Sequence, residues 1–115
     1  MTHSQKQPGF TILQDPLMKQ PFPEEGILTR QLHDDETMRV VLFTFSQGQR
    51  LSEHTASSPA LLHFLAGEAT VTLGEESCEA RSGTWVRMDA GLSHSVVTKS
   101  PVVMLLVLLK RSGGQ

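Results

Sequence analysis

Gly48-Gln-Arg-Leu-Ser-Glu-His-Thr-Ala-Ser-Ser-Pro-Ala-Leu-Leu-His-Phe-Leu-Ala-Gly67 is the stretch on which the reading of this 115-residue chain turns. Five residues separate Gly48 from His54, one separates His54 from Ala56, three more lead to Ala60, and six lead on to Gly67. A second spaced pattern follows after a gap of fifteen residues. It runs from Gly83 over five residues to Asp89, then Gly91, His94 and Thr98. Each pattern sets one histidine among glycines that mark turns.

Outward from these stretches the rhythm is that of strands. Ile27 to His33 is one run, Asp34-Asp35-Glu36 offers a turn, and Met38 to Phe45 is the next run. After a loop carrying His54 comes Ala60 to Leu65, then a turn at Ala66-Gly67-Glu68. Ala69, Val71 and Leu73 alternate with Thr70 and Thr72, the pattern of a strand with one wet face. Gly74-Glu75, Arg81-Ser82-Gly83 and Asp89-Ala90-Gly91 supply further turns, and no long apolar pattern has helical spacing. Short strands at this spacing predict an all-β sandwich or small barrel.

Residues 1–25 read as a tail and wrapping segment, 26–111 as the barrel and 112–115 as a disordered end. Within the lead-in, Phe10 to Leu13 reads as a short strand, while Pro16, Pro21 and Pro23 exclude helix and central strand. The last run, Val102 to Leu109, is apolar at every position and so asks for cover on both faces. The lead-in or a second subunit would provide it, and a two-fold homodimer is the expectation.

Composition narrows the partners. Ten basic and 12 acidic residues give a formal net charge of -2, and no basic run exceeds Lys110-Arg111, so a nucleic-acid footprint is not expected. The run 102–109 is far shorter than the ~20 residues of a membrane helix. The N-terminus lacks the layout of a signal peptide, and the expectation is a cytoplasmic protein. A lone cysteine, Cys78, makes no internal disulfide and reads as a half-buried thiol on a strand.

The two glycine–histidine patterns, in order and within an all-β chain, resemble the paired motifs of the cupin superfamily, whose RmlC-like members are double-stranded β-helix (jelly-roll) barrels. The resemblance spans residues 26 to about 110. Ser52 to Ala56 is also similar to the first motif, Ser-Glu-His-Thr-Ala, of a subgroup of small, mostly uncharacterised bacterial cupins. The resemblance implies a metal site of His-x-His and Glu from the first motif and His from the second. In this chain Ala56 and Ala60 stand where the second His and the Glu would be, Asp89 stands for the usual Pro, and Thr98 for Asn. His54 and His94 are thus the candidate ligands for a divalent metal, whether Fe, Zn, Ni or Mn.

A catalytic metal usually takes three protein ligands. His63 and Asp89 are the candidate third donors. Alternation along the strand sets Leu62 and Phe64 on the face of Ala60 and sends His63 to the other face. Glu53 points away from the face of His54 by the same rule, and Asp89 sits in an exposed turn. The short Ala56 and Ala60 widen the space beside the histidines, with Phe43, Phe45, Leu62, Phe64, Trp85 and Met88 as candidate pocket walls.

Three readings follow. The first is a small-molecule-binding protein with a reduced two-histidine site that holds a metal weakly or not at all. The second is a metal-dependent enzyme, an oxygenase or isomerase, with its third ligand from water, substrate, His63 or Asp89. The third is an interaction scaffold. Ser93 and Ser95 flank His94 but diverge along a strand, so no serine–histidine couple is present.

Overall fold

The computed structural model describes residues 7–15, 20–54 and 57–110, and for Glu53 and His54 the backbone alone. Ala56 and the expected C-terminal end lie outside these residues. The described residues form nine strands: β1 (Ile27–Asp34), β2 (Met38–Phe45), β3 (Arg50–His54), β4 (Ala60–Ala66), β5 (Ala69–Leu73), β6 (Glu76–Ala80), β7 (Trp85–Met88), β8 (His94–Thr98) and β9 (Val102–Leu109). Among the described residues no helix is long and apolar enough to cross a membrane.

The strands make two antiparallel sheets, one in the order β1-β2-β9-β4-β7 and one in the order β3-β8-β5-β6. This is the all-β, two-sheet architecture that the strand rhythm predicts, and it is consistent with the jelly roll that the resemblance implies. Phe10 to Leu13 is not a strand, because no neighbour offers it a ladder. Conversely Arg50–His54 is a strand although its sequence, RLSEH, is mostly polar; pairing with β8 makes it one.

The core lies between the sheets. Phe45, Leu62, Phe64, Val71, Val96, Val102 and Met104 are buried there together. Inward side chains are sealed at the end of the barrel where β2 leaves, around Phe45, Phe64, Ala69, Thr98 and Val102. Val41, Leu73, Leu106 and Leu108, nearer the opposite end, keep partial exposure. The barrel is therefore closed at one end and more open at the end where β3 finishes and β8 begins.

β9 sits between β2 and β4, so its backbone is fully inside the sheet. Its inward Val102 and Met104 are buried, whereas Val103, Leu105 and Val107 on the outer face are half-buried. Part of that outer face is covered by the lead-in. Gln20 Nε2 donates to Thr44 Oγ1 at 3.0 Å, and Val40 and Leu42 on the same face are buried.

Gly67 turns the chain at the sealed end with φ 91°, and a Cβ there would run into the Pro101 carbonyl oxygen and the Val102 backbone. Gly83 has a similar φ of 97° but open space around it. Gly67→Ala should therefore cost about 2–4 kcal/mol, adding a clash to the backbone strain, against roughly 1–2 kcal/mol for Gly83→Ala. Denaturant midpoints of the two variants check the order.

The β1–β2 turn is built around Asp35. Its Oδ1 accepts from Thr37 N, Met38 N and Thr37 Oγ1 at 2.7, 2.9 and 2.9 Å, and its Oδ2 accepts from His33 Nε2 at 2.7 Å. The hydrogen bond from His33, followed by those from Thr37 and Met38, holds the Asp35 carboxyl well below its ordinary value of 3.8. A lowered folded value means that the stabilisation is complete above the ordinary range and is lost as pH falls through the folded value. Acid unfolding followed by circular dichroism should be less steep for Asp35→Asn below about pH 4. Parallel acid limbs in the two proteins would show that the turn carboxylate contributes nothing.

Candidate functional site

The two motif histidines meet across one ladder. Arg50 and Leu51 pair with Val97 and Val96, and in unbroken register the next inward pair would set Glu53 opposite His94. A register shift between Leu51 and His54 sets His54 opposite His94 instead. Such a bulge inserts one residue and re-aims those that follow it.

On the other side, His94, Val96 and Thr98 pair with Leu73, Val71 and Ala69 of β5. Val96, Val71 and Ala69 belong to the core, so His94 stands on the inward face, and it is only 4% exposed. Its Nδ1 lies 3.0 Å from the Leu92 carbonyl oxygen. A carbonyl only accepts, so Nδ1 carries the proton, and in the neutral ring Nε2 carries the lone pair. The turn before β8 makes this contact available: Leu92 N donates to Asp89 O at 3.3 Å, and Gly91, with φ 86°, takes the third position. A positive φ at that position is what a type II turn requires. Gly74 N donates to Ser93 O at 2.8 Å and ties the turn to β5.

Four of the expected walls lie with the histidine on the inward face: Ala60, Leu62, Phe64 and Met88 are buried core residues. Phe45 is buried as well, with Phe43 stacked on it at 5.9 Å between ring centroids and packed against the core. Leu73, Leu92, Leu106 and Leu108 also pack against this core and keep partial exposure. Sequence reasoning missed these four. The signal for Leu106 and Leu108 is parity with Val102 and Met104 along β9, hidden because every position of that strand is apolar.

Three candidates are placed elsewhere. Trp85 is 58% exposed and pairs with His63 on the outer face, because the inward positions of β7 are Val86 and Met88. Trp85 does not line the interior. His63 alternates with Leu62 and Phe64 and shares its face with Trp85 and Leu105, so it is turned away from His94. The register shift in β4 comes only after Phe64 and does not bring His63 round. Asp89 is exposed and paired to Arg87 Nη1 at 2.6 Å. Among the described residues, no three His, Cys, Asp or Glu side chains gather in a metal-holding group. Cys78 is exposed rather than half-buried, since β6 forms the edge of its sheet.

Thr98 secures the approach to β3. Its Oγ1 donates to Ser46 O at 2.8 Å and accepts from Gln49 N at 2.9 Å, and the residue is almost fully buried. It thereby fixes the loop that delivers Arg50 to the β8 ladder. Thr98→Val keeps the shape but orphans one buried backbone carbonyl and one part-buried N–H and should cost about 1–3 kcal/mol, whereas Thr98→Ser should cost about 1 kcal/mol or less. Thermal or denaturant unfolding of both variants tests this; a larger loss in Thr98→Ser than in Thr98→Val would assign the effect to the methyl group and not to the hydroxyl.

The profile described as "Cupin domain" matches residues 41–108, which include both motif histidines. No curated protein matches the chain. Among solved structures, a conserved protein of unknown function from Streptococcus pyogenes is 25% identical, with a TM-score of 0.74 over 80% of this chain and 81% of that one. A cupin superfamily protein from Desulfitobacterium hafniense is 22% identical, with a TM-score of 0.74 over 84% and 86% of the two chains. An RmlC-like cupin from Desulfovibrio desulfuricans is 22% identical, with a TM-score of 0.72 over 81% and 91%. With the family profile spanning more than half of its residues and two antiparallel sheets enclosing the motif positions, this chain belongs to the cupin domain family.

Proposed function

We propose that the more open end of the barrel interior is a small-molecule site, with His54 and His94 as its polar anchors and weak affinity for a divalent metal (Fe, Zn, Ni or Mn). The observation that carries this reading is the bulge in β3 that sets His54 opposite His94. Residues directly opposed in an antiparallel ladder have Cβ atoms roughly 4.5–5.5 Å apart, close enough for two imidazoles to share one ligand atom. Apolar side chains around a few convergent polar groups are the usual make-up of a small-molecule site. Leu73, Leu92, Leu106 and Leu108 supply the apolar part, and the short Ala60 stands on the same inward face.

The donor set fits a loosely held ion. Two imidazoles suit Fe, Zn or Ni, but a firm site needs a third protein donor. Asp89 is engaged by Arg87, and His63 lies on the outer face, so the remaining positions fall to water or to the ligand. When bound, the ion would supply positive charge for an anionic or carbonyl group. The chain's own part is to orient: the Leu92 carbonyl holds the His94 ring, as second partners commonly hold metal-binding histidines.

That same hydrogen bond favours a second reading, a metal-dependent cupin enzyme of the oxygenase or isomerase class with a third ligand from water or substrate. The fold alone does not choose between them, since one scaffold hosts many chemistries. The exposed thiol of Cys78 accords with a reducing, cytoplasmic setting. On this reading the chain groups with the small bacterial cupins whose first motif Ser52 to Ala56 resembles.

Metal content of the purified protein and calorimetric titration with each of the four ions test the proposal. The wild type should bind one ion per chain, and His54→Ala or His94→Ala should weaken binding by roughly tenfold or more. Metal retained in the double variant would place the site elsewhere. A wild type that binds none of the four ions would remove the metal and with it the enzyme reading.

A further inference from the structure

Each strand of the smaller sheet is joined at the sealed end to a strand of the larger one. Residues 46–49 link β2 to β3, 67–68 link β4 to β5, 81–84 link β6 to β7, and 99–101 link β8 to β9. Set against the two strand orders, these short links stack β2 on β3, β9 on β8, β4 on β5 and β7 on β6. The motif positions of β3 and β8 therefore lie under β2 and β9.

Register sets which side chains those two strands turn inward. Val102, Met104, Leu106 and Leu108 of β9 pair with Phe45, Phe43, Val41 and Arg39 of β2. Val102, Met104 and Phe45 are core residues, so the whole series, Arg39 included, stands on the inward side. Of the described inward positions of the nine strands, only Arg39 carries a lysine or arginine. Its height along the barrel follows from the sealed level, where Thr98 Oγ1 donates to Ser46 O beside Phe45. His94 lies four residues from that level (98 to 94) and Arg39 six (45 to 39). The difference of two residues sets Arg39 roughly 7 Å beyond the histidines, at the rim of the more open end. The long stem of an arginine spans such a gap.

The charge of Arg39 is not consumed at the rim. Its Nε lies 3.9 Å from Asp34 Oδ1, whereas Lys110 Nζ donates to that same oxygen at 2.5 Å and to Asp35 O at 2.7 Å. Lys110 is thus the main partner of Asp34, and the Arg39 side chain remains exposed. Glu76 also has an inward position, opposite Leu73, but on β6 it is three strands from His54. That is roughly 14 Å at the usual strand spacing, too far to neutralise Arg39.

Resting on the small-molecule reading above, we propose that the ligand is a short hydroxy- or oxo-carboxylate, its carboxylate taken by Arg39 and its second oxygen by the His54–His94 pair. A guanidinium grips a carboxylate through two parallel N–H donors, and such charge-assisted bonds are stronger than neutral ones. Imidazole, or an ion held by it, serves the hydroxyl or carbonyl oxygen. Between the two anchors Val41, Leu106 and Leu108 are half-buried and present an apolar wall to a short hydrocarbon body. Arg39 is in this sense the specificity residue of the site, selecting the anion over its neutral analogue.

Lactate, pyruvate, 3-hydroxybutanoate and acetoacetate, each beside its neutral amide, are titrated into the full chain with and without each of the four metal ions. Binding is followed by NMR through the imidazole signals of the protein. At least one acid should bind at millimolar concentration or below, shift the His94 ring signals, and bind roughly tenfold or more tighter than its amide. Arg39→Gln should weaken that acid roughly tenfold or more, leave the amide and the circular dichroism unchanged, and be only partly rescued by Arg39→Lys. Four acids that fail to bind, or amides that bind as well as their acids, would overturn the proposal without recourse to any variant. An acid that needs His54 and His94 but is indifferent to Arg39→Gln would overturn it and leave the two-histidine site standing. An acid that needs Arg39 but is indifferent to His54→Ala and His94→Ala would uphold the carboxylate anchor and remove the histidines from the site.

Discussion

The ladder that β8 makes with β3 on one side and β5 on the other sets the inner face of the smaller sheet, and the site depends on its register. β5 holds β8 in plain alternation, so His94, Val96 and Thr98 all face inward. β3 joins the same ladder with one residue too many, and that single residue decides which position stands across from His94. A one-residue slip in a strand reverses every side chain that follows it. With no bulge Glu53 would oppose His94, and the chemistry would be that of a carboxylate beside an imidazole. Thr98 protects this register from the sealed end by holding the loop that leads into β3.

The barrel divides its labour between its ends. At the sealed end, Gly67 brings the chain so close to Pro101 and Val102 that no side chain fits, and the aromatic rings of Phe45 and Phe64 fill the interior. At the other end, the inward leucines are only partly covered. Ala60, Met88 and His94 are nevertheless buried at that end. The Leu92 carbonyl and the burial of the ring together hold His94 in place.

Much of the fold was legible in single runs. Met38–Phe45, Ala69–Leu73 and Val102–Leu109 have the limits that their apolar pattern and flanking turns predict, because each run must bury a face whatever its neighbours are. Arg50–His54 was not legible as a strand, since a polar edge segment acquires its conformation from its partner and not from its own composition. Phe10 to Leu13 shows the converse, a favourable composition with no partner. In the site, alternation from Ala60 placed His63 on the outer face correctly, because β4 is regular as far as Phe64. Trp85 was misjudged as a wall because no anchor residue fixed the parity of its short strand; pairing with His63 fixed it.

What this sequence determined by itself is the family of the fold and the two histidines within it. Spaced glycines and short apolar runs are local requirements, met or missed within a few residues. What only the tertiary structure decided is relational: which residue opposes His94, which end of the barrel is sealed, and which face His63 and Trp85 share. Those depend on how one strand is registered against another, and a register is a property of the pair that neither strand carries alone.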